Sequence, residues 1–474
     1  MSYVFNHLDH LALPNLAAIS ELLKAHNCHI AMIKKLPKNA NDKNQVYFHS
    51  DASLLNARFD LRFSERGDST SITKRASSPG QAIPQAVFHK FSWLSTTGTL
   101  HKAKECKAII YSQYPEARFS AFQTTTGEIP RSISIDYAKS PELGTRYLVL
   151  GATPTGHAVA VMCVNPESDF EDEYRELEPF YGSKVCKAFT IEHGEASGSY
   201  KLQQILSSQV AGKTLKGCRY DKDGNTIPFN STQVHGYTLE HACGIKPNSD
   251  KDGDIYGIEL KCFTRKKLTL FTPEPDGGLY AASFPGFMKK YGYKSGSDYR
   301  VTGLHRAYAE NPKTGLTLKI YCWMKNPKTK EPEKQTYNPE ISISKQMTGM
   351  EVVLEDKDGN TAASWSLERL LNCWGAKHNE VVYYPATKYD NDVASEVAEG
   401  YQYKIEFANK VLWCKNTGAE QLFRAIHEGV VFLDPAPKYN EETPSRNKRR
   451  SQWRLNDIYK AASFLYETAE VKML

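Results

Sequence analysis

The spacing of two acidic residues and a lysine in one short stretch constrains this 474-residue chain most strongly. Asp254, Glu259 and Lys261 follow the pattern D-x4-E-x-K. Residues 255–262 alternate and are rich in β-branched and apolar types, which predicts a half-buried strand after a Gly-Asp turn. Because side chains two apart on a strand share a face, Glu259 and Lys261 are predicted to point the same way while their neighbours face the core.

An acid and a lysine side by side on a strand, with a second acid from the preceding turn, suit metal-assisted hydrolysis of a phosphodiester. Mg2+ prefers a few carboxylate and carbonyl oxygens plus water, and an adjacent lysine helps to orient water and offset phosphoryl charge. An ordinary charged surface strand explains the triple about as well. A calcium loop from Asp250 is excluded, because Ile255 replaces the turn glycine and Lys261 replaces the final acid.

Length and composition describe an ordinary globular protein of two or three domains. The chain is 40% hydrophobic and 24% charged, and no apolar run approaches a membrane span. The first 15 residues lack a signal-peptide pattern, so we expect a cytoplasmic protein with no membrane partner. The ten cysteines include no C-x2-C pair. Their spacing supports neither a zinc site nor a disulfide framework, and we expect buried reduced thiols.

Changes in composition predict two domains. The first covers residues 1–185 and has a mixed α+β pattern, and the second covers residues 190–474. An acidic stretch at 166–179 and a small polar stretch at 193–199 place the boundary near residues 184–197.

Helices are predicted from apolar periodicity and capping residues, and strands from short alternating or apolar runs. The predicted helices are 16–26, 80–94, 200–210, 236–244, 366–373, 418–428 and 455–466, with Thr417 and Glu420 as a capping box for the sixth. The predicted strands are 108–111, 146–150, 158–164, 255–262, 267–272, 316–323, 351–355 and 401–407. Helices flanking a mixed sheet with an acid and a lysine on a central strand predict an α/β nuclease core.

Basic residues cluster beside the acidic triple and again late in the chain, which favours a polyanionic partner. The net charge is only +6, so the distribution of the charges carries this argument. The two clusters contain Arg265, Lys266 and Lys267, and Arg446, Lys448, Arg449, Arg450 and Arg454. A solvated charged loop remains the simpler reading of either cluster alone.

A polar loop in the N-terminal domain has two open interpretations. It either grips phosphates or base edges, or forms a hydrogen-bonded surface turn. The side chains concerned are Asn41, Lys43, Asn44 and Gln45.

Four ordered segments form a motif set more specific than the triple alone. They are Thr238-Leu-Glu240 with Gly244-Ile-Lys-Pro-Asn248, Asp254-Ile-Tyr-Gly257-Ile-Glu259-Leu-Lys261, Leu268-Thr-Leu-Phe-Thr272-Pro-Glu-Pro, and Thr302-Gly-Leu-His-Arg306. Together they resemble the MvaI/BcnI family of restriction endonucleases, a branch of the PD-(D/E)XK nucleases with a core similar to the mismatch-repair nickase MutH. The resemblance covers roughly residue 200 to the C-terminus. It implies a restriction-endonuclease-like core, a mixed sheet flanked by helices, beside a separate α+β N-terminal domain.

The resemblance also implies roles for individual residues. Asp254 and Glu259 become metal-binding carboxylates, Lys261 the catalytic lysine, and Glu240 an additional acid near the metal. The backbone carbonyl of Leu260 is a further expected ligand. The implied activity is that of a Mg2+-dependent type II restriction enzyme, which hydrolyses double-stranded DNA at a specific sequence and leaves 5′-phosphate and 3′-hydroxyl ends.

Sequence readout in the resembled family involves a late segment around an aspartate and a basic run that contains histidine. The matching positions here are Asp434-Pro-Ala-Pro and residues 447–454. This chain departs from the pattern, since Ala436 replaces a basic residue, the later run has no histidine, and Gly253 replaces a proline before the first acid. The expected DNA contacts are Lys267, His305, Arg306, Asp434, Arg446, Lys448, Arg449 and Arg454, with arginines able to contact guanine bidentately.

The resemblance implies double-stranded DNA and a cognate methyltransferase acting on the same site as partners. A polar chain without heptads is compatible with a monomer. The N-terminal domain is expected to be an accessory DNA-binding module, which is an analogy of architecture. Two alternatives stay open: a MutH-like repair nickase, and a DNA-binding or regulatory protein with an inactive core.

Overall fold

A computed structural model describes residues 3–38, 46–65, 84–110, 116–193, 197–246, 254–326, 328–329, 331–375 and 378–474. The chain forms two compact units. Unit 1 comprises Met1–His193 and Tyr321–Glu351, and unit 2 comprises Gly194–Ile320 and Val352–Leu474. Within the described residues, every helix is too short or too polar to cross a membrane.

The strands of the described residues vary from two to eleven residues in length. They are β1 (Asp9–Leu11), β2 (Ile30–Lys35), β3 (Val46–His49), β4 (Leu61–Glu65), β5 (Pro84–Phe88), β6 (Phe91–Leu94), β7 (Leu100–Lys102), β8 (Lys107–Ile109), β9 (Ala117–Ser120), β10 (Arg146–Ala152), β11 (Ala158–Val164), β12 (Lys187–Thr190), β13 (Thr214–Lys216), β14 (Cys218–Tyr220), β15 (Thr226–Pro228), β16 (Glu259–Phe263), β17 (Leu268–Phe271), β18 (Tyr293–Ser295), β19 (Asp298–Arg300), β20 (Glu310–Asn311), β21 (Leu316–Lys325), β22 (Pro332–Thr336), β23 (Glu351–Glu355), β24 (Thr361–Ser366), β25 (Glu380–Asp390), β26 (Tyr403–Phe407), β27 (Lys410–Lys415), β28 (Phe432–Leu433), β29 (Lys438–Asn440), β30 (Trp453–Leu455) and β31 (Thr468–Met473).

The α-helices are short and are spread over both units. They are α1 (Leu16–Lys24), α2 (Ser53–Asn56), α3 (Ile135–Lys139), α4 (Ser168–Glu176), α5 (Gly198–Gln209), α6 (Val234–Ala242), α7 (Gly278–Ala282), α8 (Phe284–Tyr291), α9 (Leu367–Trp374), α10 (Ala394–Ala398), α11 (Ala419–His427) and α12 (Ile458–Leu465).

Unit 1 is built on a mixed sheet with the strand order β12-β2-β10-β11-β6-β7, in which β1 also pairs with β11. The antiparallel strands β10 and β11 are predicted correctly as apolar runs, and every residue on both is buried. A strand that is apolar throughout needs cover on both faces. Helices α1 and α4 supply Leu16, Ile19, Leu23 and Phe170 to the core on one face of this sheet. A second sheet has the order β3-β9-β8-β5-β4.

The predicted helix at 80–94 is wrong. Its described part forms strands β5 and β6, separated at His89 and Lys90. All four residues of β6 are buried, because β6 lies between β11 and β7 in the sheet. Phe91 and Trp93 are two positions apart, the spacing of one strand face, and aromatic side chains are favoured in strands.

Helix starts are predicted with mixed success. Helix α1 begins at residue 16, as predicted, and its N-cap is Asn15, whose Oδ1 accepts the N–H of Ala18 at 2.9 Å. The predicted capping box of α11 is wrong, because its N-cap is Gly418. The hydroxyl of Thr417 instead accepts the indole N–H of Trp374 at 3.0 Å. A buried indole N–H needs a hydrogen-bond acceptor, so the Thr417 hydroxyl pairs with Trp374 and does not cap α11.

The cysteines match the expectation of buried thiols. None of the ten, all within the described residues, forms a disulfide, and most are buried.

Unit 2 contains a mixed six-stranded sheet with the order β13-β26-β25-β27-β31, in which β16 also pairs with β25. Strand β25, which was not predicted, is central. Its first half pairs in parallel with β16 and antiparallel with β27, and its second half pairs with β26. The pairing changes partner at Pro385 and Ala386. A proline gives no N–H to a ladder, so it suits the point at which partners change.

Helices α5 and α6 cover one face of this sheet. Their Leu202, Leu206, Val234 and Leu239 pack with Ile258, Leu260, Val382, Tyr384, Ile405 and Trp413 from the strands. Alternation along a strand turns Glu259 and Lys261 to the opposite face, in register with Val381 and Tyr383 of β25. The predicted common face of the acid and the lysine is therefore confirmed.

Strand β16 begins at Glu259, later than the predicted residue 255. Residues 255–258 form a two-residue hairpin turn, in which the backbones of Ile255 and Ile258 exchange hydrogen bonds at 3.2 and 2.8 Å. The two central residues have positive φ values, 53° at Tyr256 and 79° at Gly257. This pattern is that of a type I′ turn.

Replacing Gly257 by alanine is expected to destabilise the protein by about 1 kcal/mol, because a Cβ disfavours a φ in this region. Gly236→Ala is the matched control, since it lies in α6 and an added Cβ would meet no atom within 4 Å. That variant is expected to be neutral or stabilising by up to ~1 kcal/mol. Urea denaturation followed by tryptophan fluorescence measures both variants. Equal stabilities would contradict this turn.

Candidate active site

Glu259 and Lys261 form an ion pair on the face of β16 opposite α5 and α6. Lys261 Nζ lies 2.9 Å from Glu259 Oε1, and the two side chains are 16% and 5% exposed. Positions two apart on a strand bring these groups together without a turn. A buried carboxylate requires such compensation, since removing one member of a buried pair costs about 3–5 kcal/mol. Because they are buried and paired, Glu259 and Lys261 are not ordinary solvated surface charges.

Asp254 is attached to the edge of the same strand. Its Oδ2 accepts the backbone N–H of Leu260 at 2.8 Å, and its own N–H donates to the carbonyl of Ile258 at 3.1 Å. The N–H and C=O of one residue in an extended strand point to the same edge. The carbonyl of Leu260 therefore points toward the edge that carries Asp254.

Glu240 approaches from α6, which packs against β16. Burial, together with the negative charges of Asp254 and Glu240, raises the pKa of the Cys243 thiol to about 12. One thiol therefore senses both carboxylates. The structure brings Glu240 to the Asp254 side of β16, while Lys261 lies on the opposite face of the sheet.

This arrangement offers oxygen donors to a hard divalent cation. The donors are the carboxylates of Asp254 and Glu259 and the carbonyl of Leu260, with Glu240 adjacent. Mg2+ prefers such oxygens and retains several waters, whereas it has little affinity for thiols or imidazoles. Lys261 pairs with Glu259, while Asp254 and Glu240 add further negative charge that a bound cation would also offset. The residues present fit a magnesium ion.

His378 also lies beside the pair, and sequence reasoning did not single it out. Burial lowers its pKa to about 3, with the positive charge of Lys261 acting in the same direction and Glu259 against it. Its Nδ1 lies 2.9 Å from the Trp374 carbonyl and its Nε2 3.3 Å from the Leu270 carbonyl. The ring stacks on Trp374 at a centroid distance of 4.3 Å. The sequence feature that could have indicated His378 is its position four residues after a tryptophan at the end of a helix.

A cluster of polar side chains lies on the small sheet that contains β17, the strand after β16. Strand β17 pairs with β30, and β30 pairs with β28. On this small sheet Asp434 Oδ2 accepts from Arg454 Nη1 at 2.8 Å and from Lys267 Nζ at 3.2 Å. The Nε of Arg454 donates to Thr269 Oγ1 at 2.8 Å. Three predicted DNA contacts thus meet in one cluster, which we call the Asp434 cluster.

The late basic run forms one side of a two-stranded ribbon. Residues 434–438 and 448–452, called the basic ribbon below, are joined by backbone hydrogen bonds. The donors and acceptors are Asp434 and Gln452 (2.8 Å), Ala436 and Arg450 (3.0 Å), and Lys438 and Lys448 (2.8 Å). Lys448, Arg449 and Arg450 are exposed along it. A ribbon of this kind has dimensions that the major groove of B-DNA admits.

Two of the arginines near the ribbon differ in how firmly they are held. The guanidinium of Arg449 lies over the rings of Phe284 and Tyr280, 4.8 and 5.4 Å from their centroids. Arg446 is half exposed, and its ion pair with Asp298 is long, at 3.5 Å. A hydrogen bond from Lys438 lowers the pKa of Asp298, so this carboxylate is held ionised. Stacking on aromatic rings fixes a guanidinium better than a long ion pair.

Two further predicted contacts face inward. His305 has no exposed surface, and its Nε2 lies 2.9 Å from Thr314 Oγ1. Arg306 donates to the carbonyl of Gly429 and stacks on Phe432 at 4.6 Å. In this structure both side chains support the protein's own packing.

The predicted contacts of the N-terminal loop, Asn41, Lys43, Asn44 and Gln45, lie outside the described residues. The residue before this gap is tied to its own unit. Lys38 Nζ donates to the carbonyls of Tyr137 and Ser140 at 3.1 and 2.9 Å.

Comparisons with known proteins give a match to a family model and matches to solved structures. A family model described as the MvaI/BcnI restriction endonuclease family matches residues 202–465. The solved structure "Restriction endonuclease MvaI-cognate DNA substrate complex" is 14% identical, with a TM-score of 0.39, over 58% of this chain and 96% of that chain. The structure "Restriction endonuclease MvaI in the absence of DNA" is 15% identical, with a TM-score of 0.29, over 57% and 97%. A search of curated proteins found no match.

The buried histidine at 305 makes unit 2 sensitive to acid. Burial lowers the pKa of His305 from 6.5 to about 4, so between these values the unfolded chain binds a proton that the folded chain does not. Its contribution to stability is full above pH 6.5 and is lost as the pH falls toward 4. We expect a slope of up to ~1.4 kcal/mol per pH unit from this group.

Urea denaturation at several pH values tests this expectation. His305→Gln is expected to reduce the slope of unfolding free energy against pH, with His427→Gln as a control for the substitution. The slope is reduced and not abolished, because the pKa of His378 is also lowered. An unchanged slope in His305→Gln would contradict the argument.

Proposed function

The chain belongs to the MvaI/BcnI restriction endonuclease family, and from that membership we propose that it is a sequence-specific, magnesium-dependent endonuclease of double-stranded DNA. The observation that carries the proposal is the buried pair of Glu259 and Lys261 beside Asp254 on one strand. We further propose that β16 and β25 with helices α5 and α6 constitute the PD-(D/E)XK core. A methyltransferase that protects the same sequence is part of the proposal.

The proposed chemistry is an in-line attack of water on the scissile phosphate. Asp254, Glu259 and the Leu260 carbonyl would hold Mg2+, which when bound supplies positive charge that stabilises the phosphoryl oxygens. Lys261 donates a hydrogen bond that orients the attacking water, and its position is fixed by Glu259. Glu240 adds negative charge from the α6 side and so strengthens cation binding. Cleavage on the 3′-oxygen side leaves a 5′-phosphate and a 3′-hydroxyl.

Recognition is proposed for the basic ribbon and the Asp434 cluster. Arginine reads guanine through two parallel hydrogen bonds, and an aspartate accepts from the cytosine amino group. Arg449 is held over aromatic rings and Asp434 is held by Arg454 and Lys267. Groups fixed before DNA arrives lose less conformational entropy on binding. We therefore assign base reading to Arg449 and Asp434, and phosphate contact to Lys448 and Arg446.

Digestion of unmethylated plasmid with Mg2+ tests the proposed activity. A restriction enzyme is expected to produce discrete linear fragments from bare DNA, whose ends give the recognition sequence. Nicked circles alone would favour the repair nickase. DNA binding in the presence of Mg2+ without any product would favour a regulatory protein with an inactive core.

Lys261→Ala is expected to lower the cleavage rate by about 100-fold or more, because the oriented donor at the reacting phosphate is lost. DNA binding, measured by gel shift without Mg2+, is expected to remain. Lys266→Ala is the matched control, since this exposed lysine lies on the connection that follows β16. Circular dichroism verifies folding of both variants. Wild-type cleavage by pure Lys261→Ala protein would rule out the assigned role.

Arg449→Ala is expected to change which single-base variants of the site are cut. A lost bidentate contact removes ~1–3 kcal/mol of discrimination at one base pair. Arg446→Ala, the control, is expected to slow all sites equally and to reduce the salt dependence of binding. Cleavage rates on a panel of site variants separate the two patterns. Uniform weakening by Arg449→Ala would assign it to phosphate contact.

A further inference from the structure

Three side chains from separate parts of unit 1 converge on one point. They are His7, before β1, His101 on β7, and Glu128. One ligand atom from each lies within 4.8 Å of the others. His7 Nδ1 is 3.8 Å from Glu128 Oε1, and the two imidazole rings lie 4.8 Å apart. None of the roles assigned above uses these residues.

Backbone hydrogen bonds fix the three segments. The carbonyl of His7 accepts the N–H of Thr96 at 2.8 Å, and the carbonyl of Lys102, next to His101, accepts the N–H of Thr125 at 2.9 Å. The second bond ties the turn that carries Glu128 to β7. The positions of the three side chains are therefore set by the fold of unit 1.

The hydrogen bonds around the cluster leave Glu128 Oε1 and His7 Nδ1 facing each other. The Thr126 hydroxyl donates to Glu128 Oε2 at 3.1 Å, while Oε1 faces His7. An outer hydrogen bond of this kind orients a carboxylate ligand. The buried Nε2 of His7 has no hydrogen-bond partner among the described residues. Nδ1, the other ring nitrogen, is the one that faces Glu128, so Nε2 is available to carry the ring proton while Nδ1 binds a cation.

The chemistry of the donor set selects the cation. Two imidazoles and one carboxylate are the ligands of three-ligand zinc sites, in which water completes a tetrahedron. Ligand atoms about 2.1 Å from zinc lie about 3.4 Å apart, close to the separation of His7 and Glu128. The remaining gap closes by rotation of partly exposed side chains. Mg2+ selects against this set, because it prefers oxygen ligands.

We propose that His7, His101 and Glu128 bind a zinc ion in unit 1. The ion joins the segment before β1 to β7 and to the turn at 124–128. A ligand that binds only the folded form stabilises it in proportion to the logarithm of its concentration over Kd. Zinc therefore raises the stability of unit 1. The cysteine spacing gave no sign of zinc, because this site uses histidine and carboxylate ligands that lie far apart in sequence.

Titration of the full-length protein with ZnCl2 against a chromophoric chelator, in excess Mg2+, tests the site. Loss of an outer-shell partner alone weakens metal sites ~10–100-fold, so His101→Ala is expected to weaken one zinc equivalent by about 100-fold or more. His89→Ala is the matched control, since this exposed histidine of unit 1 is outside the cluster. It is expected to bind zinc as the wild type does. Any zinc bound elsewhere is common to all variants and cancels.

A second variant guards against misfolding. Glu128→Gln keeps the size and the hydrogen bond from Thr126 and removes the charge, and it is expected to weaken the same equivalent by at least ~10-fold. Thermal melting of wild type with and without zinc is expected to show a shift that both variants lack. Equal zinc affinity and stoichiometry in wild type, His101→Ala and Glu128→Gln would overturn the proposal.

Discussion

The ion pair between Glu259 and Lys261 is the interaction on which the rest of unit 2 depends. The cation 2.9 Å away stabilises this carboxylate, whose side chain is only 5% exposed. Strand geometry provides that cation two positions later, and parallel pairing with β25 provides the wall that buries both groups. The same strand binds Asp254 through the N–H of Leu260. Folding of the sheet and assembly of the site are therefore the same event, and a strand slipped by one residue would place both charges in the α5 and α6 core.

The pair also fixes the position of the proposed recognition groups. Only residues 264–267 separate β16 from β17, and β17 carries Thr269, which accepts from Arg454 at 2.8 Å. Arg454 in turn holds Asp434, and Asp434 opens the basic ribbon. The Asp434 cluster thus contacts the strand that follows β16 in the chain. Strand β17 pairs with β30 and β30 pairs with β28, so the Asp434 cluster is connected to β16 through the short link at residues 264–267.

Local patterns in the sequence predict part of this arrangement. Short-range rules predict the shared face of Glu259 and Lys261 in the acid–lysine triple. They also predict the start of α1 at residue 16 and the apolar strands β10 and β11. The central strand β25 escaped prediction because Pro385 interrupts its pattern, and only the change of partner strands makes a proline acceptable there. The helix at 80–94 and the Thr417 cap failed for a related reason: burial from distant elements decided between two locally acceptable structures. His378 reaches the site because its ring packs on Trp374, and no rule of sequence spacing predicts that contact.

The distribution of acids bears on the proposed preference of this chain, whose net charge is modest, for one DNA sequence over others. Asp434 and Asp298 each hold two cations, Arg454 with Lys267 and Lys438 with Arg446. These pairs reduce the long-range attraction to phosphates, which is independent of sequence. Of these cations only Lys267 and Arg446 are half exposed, and an ion pair of that kind contributes only ~0–1 kcal/mol, so DNA can exchange it at little cost. What the cations around Asp434 provide is orientation, because an acceptor held in place can distinguish one base edge from another, whereas a phosphate contact carries no sequence information.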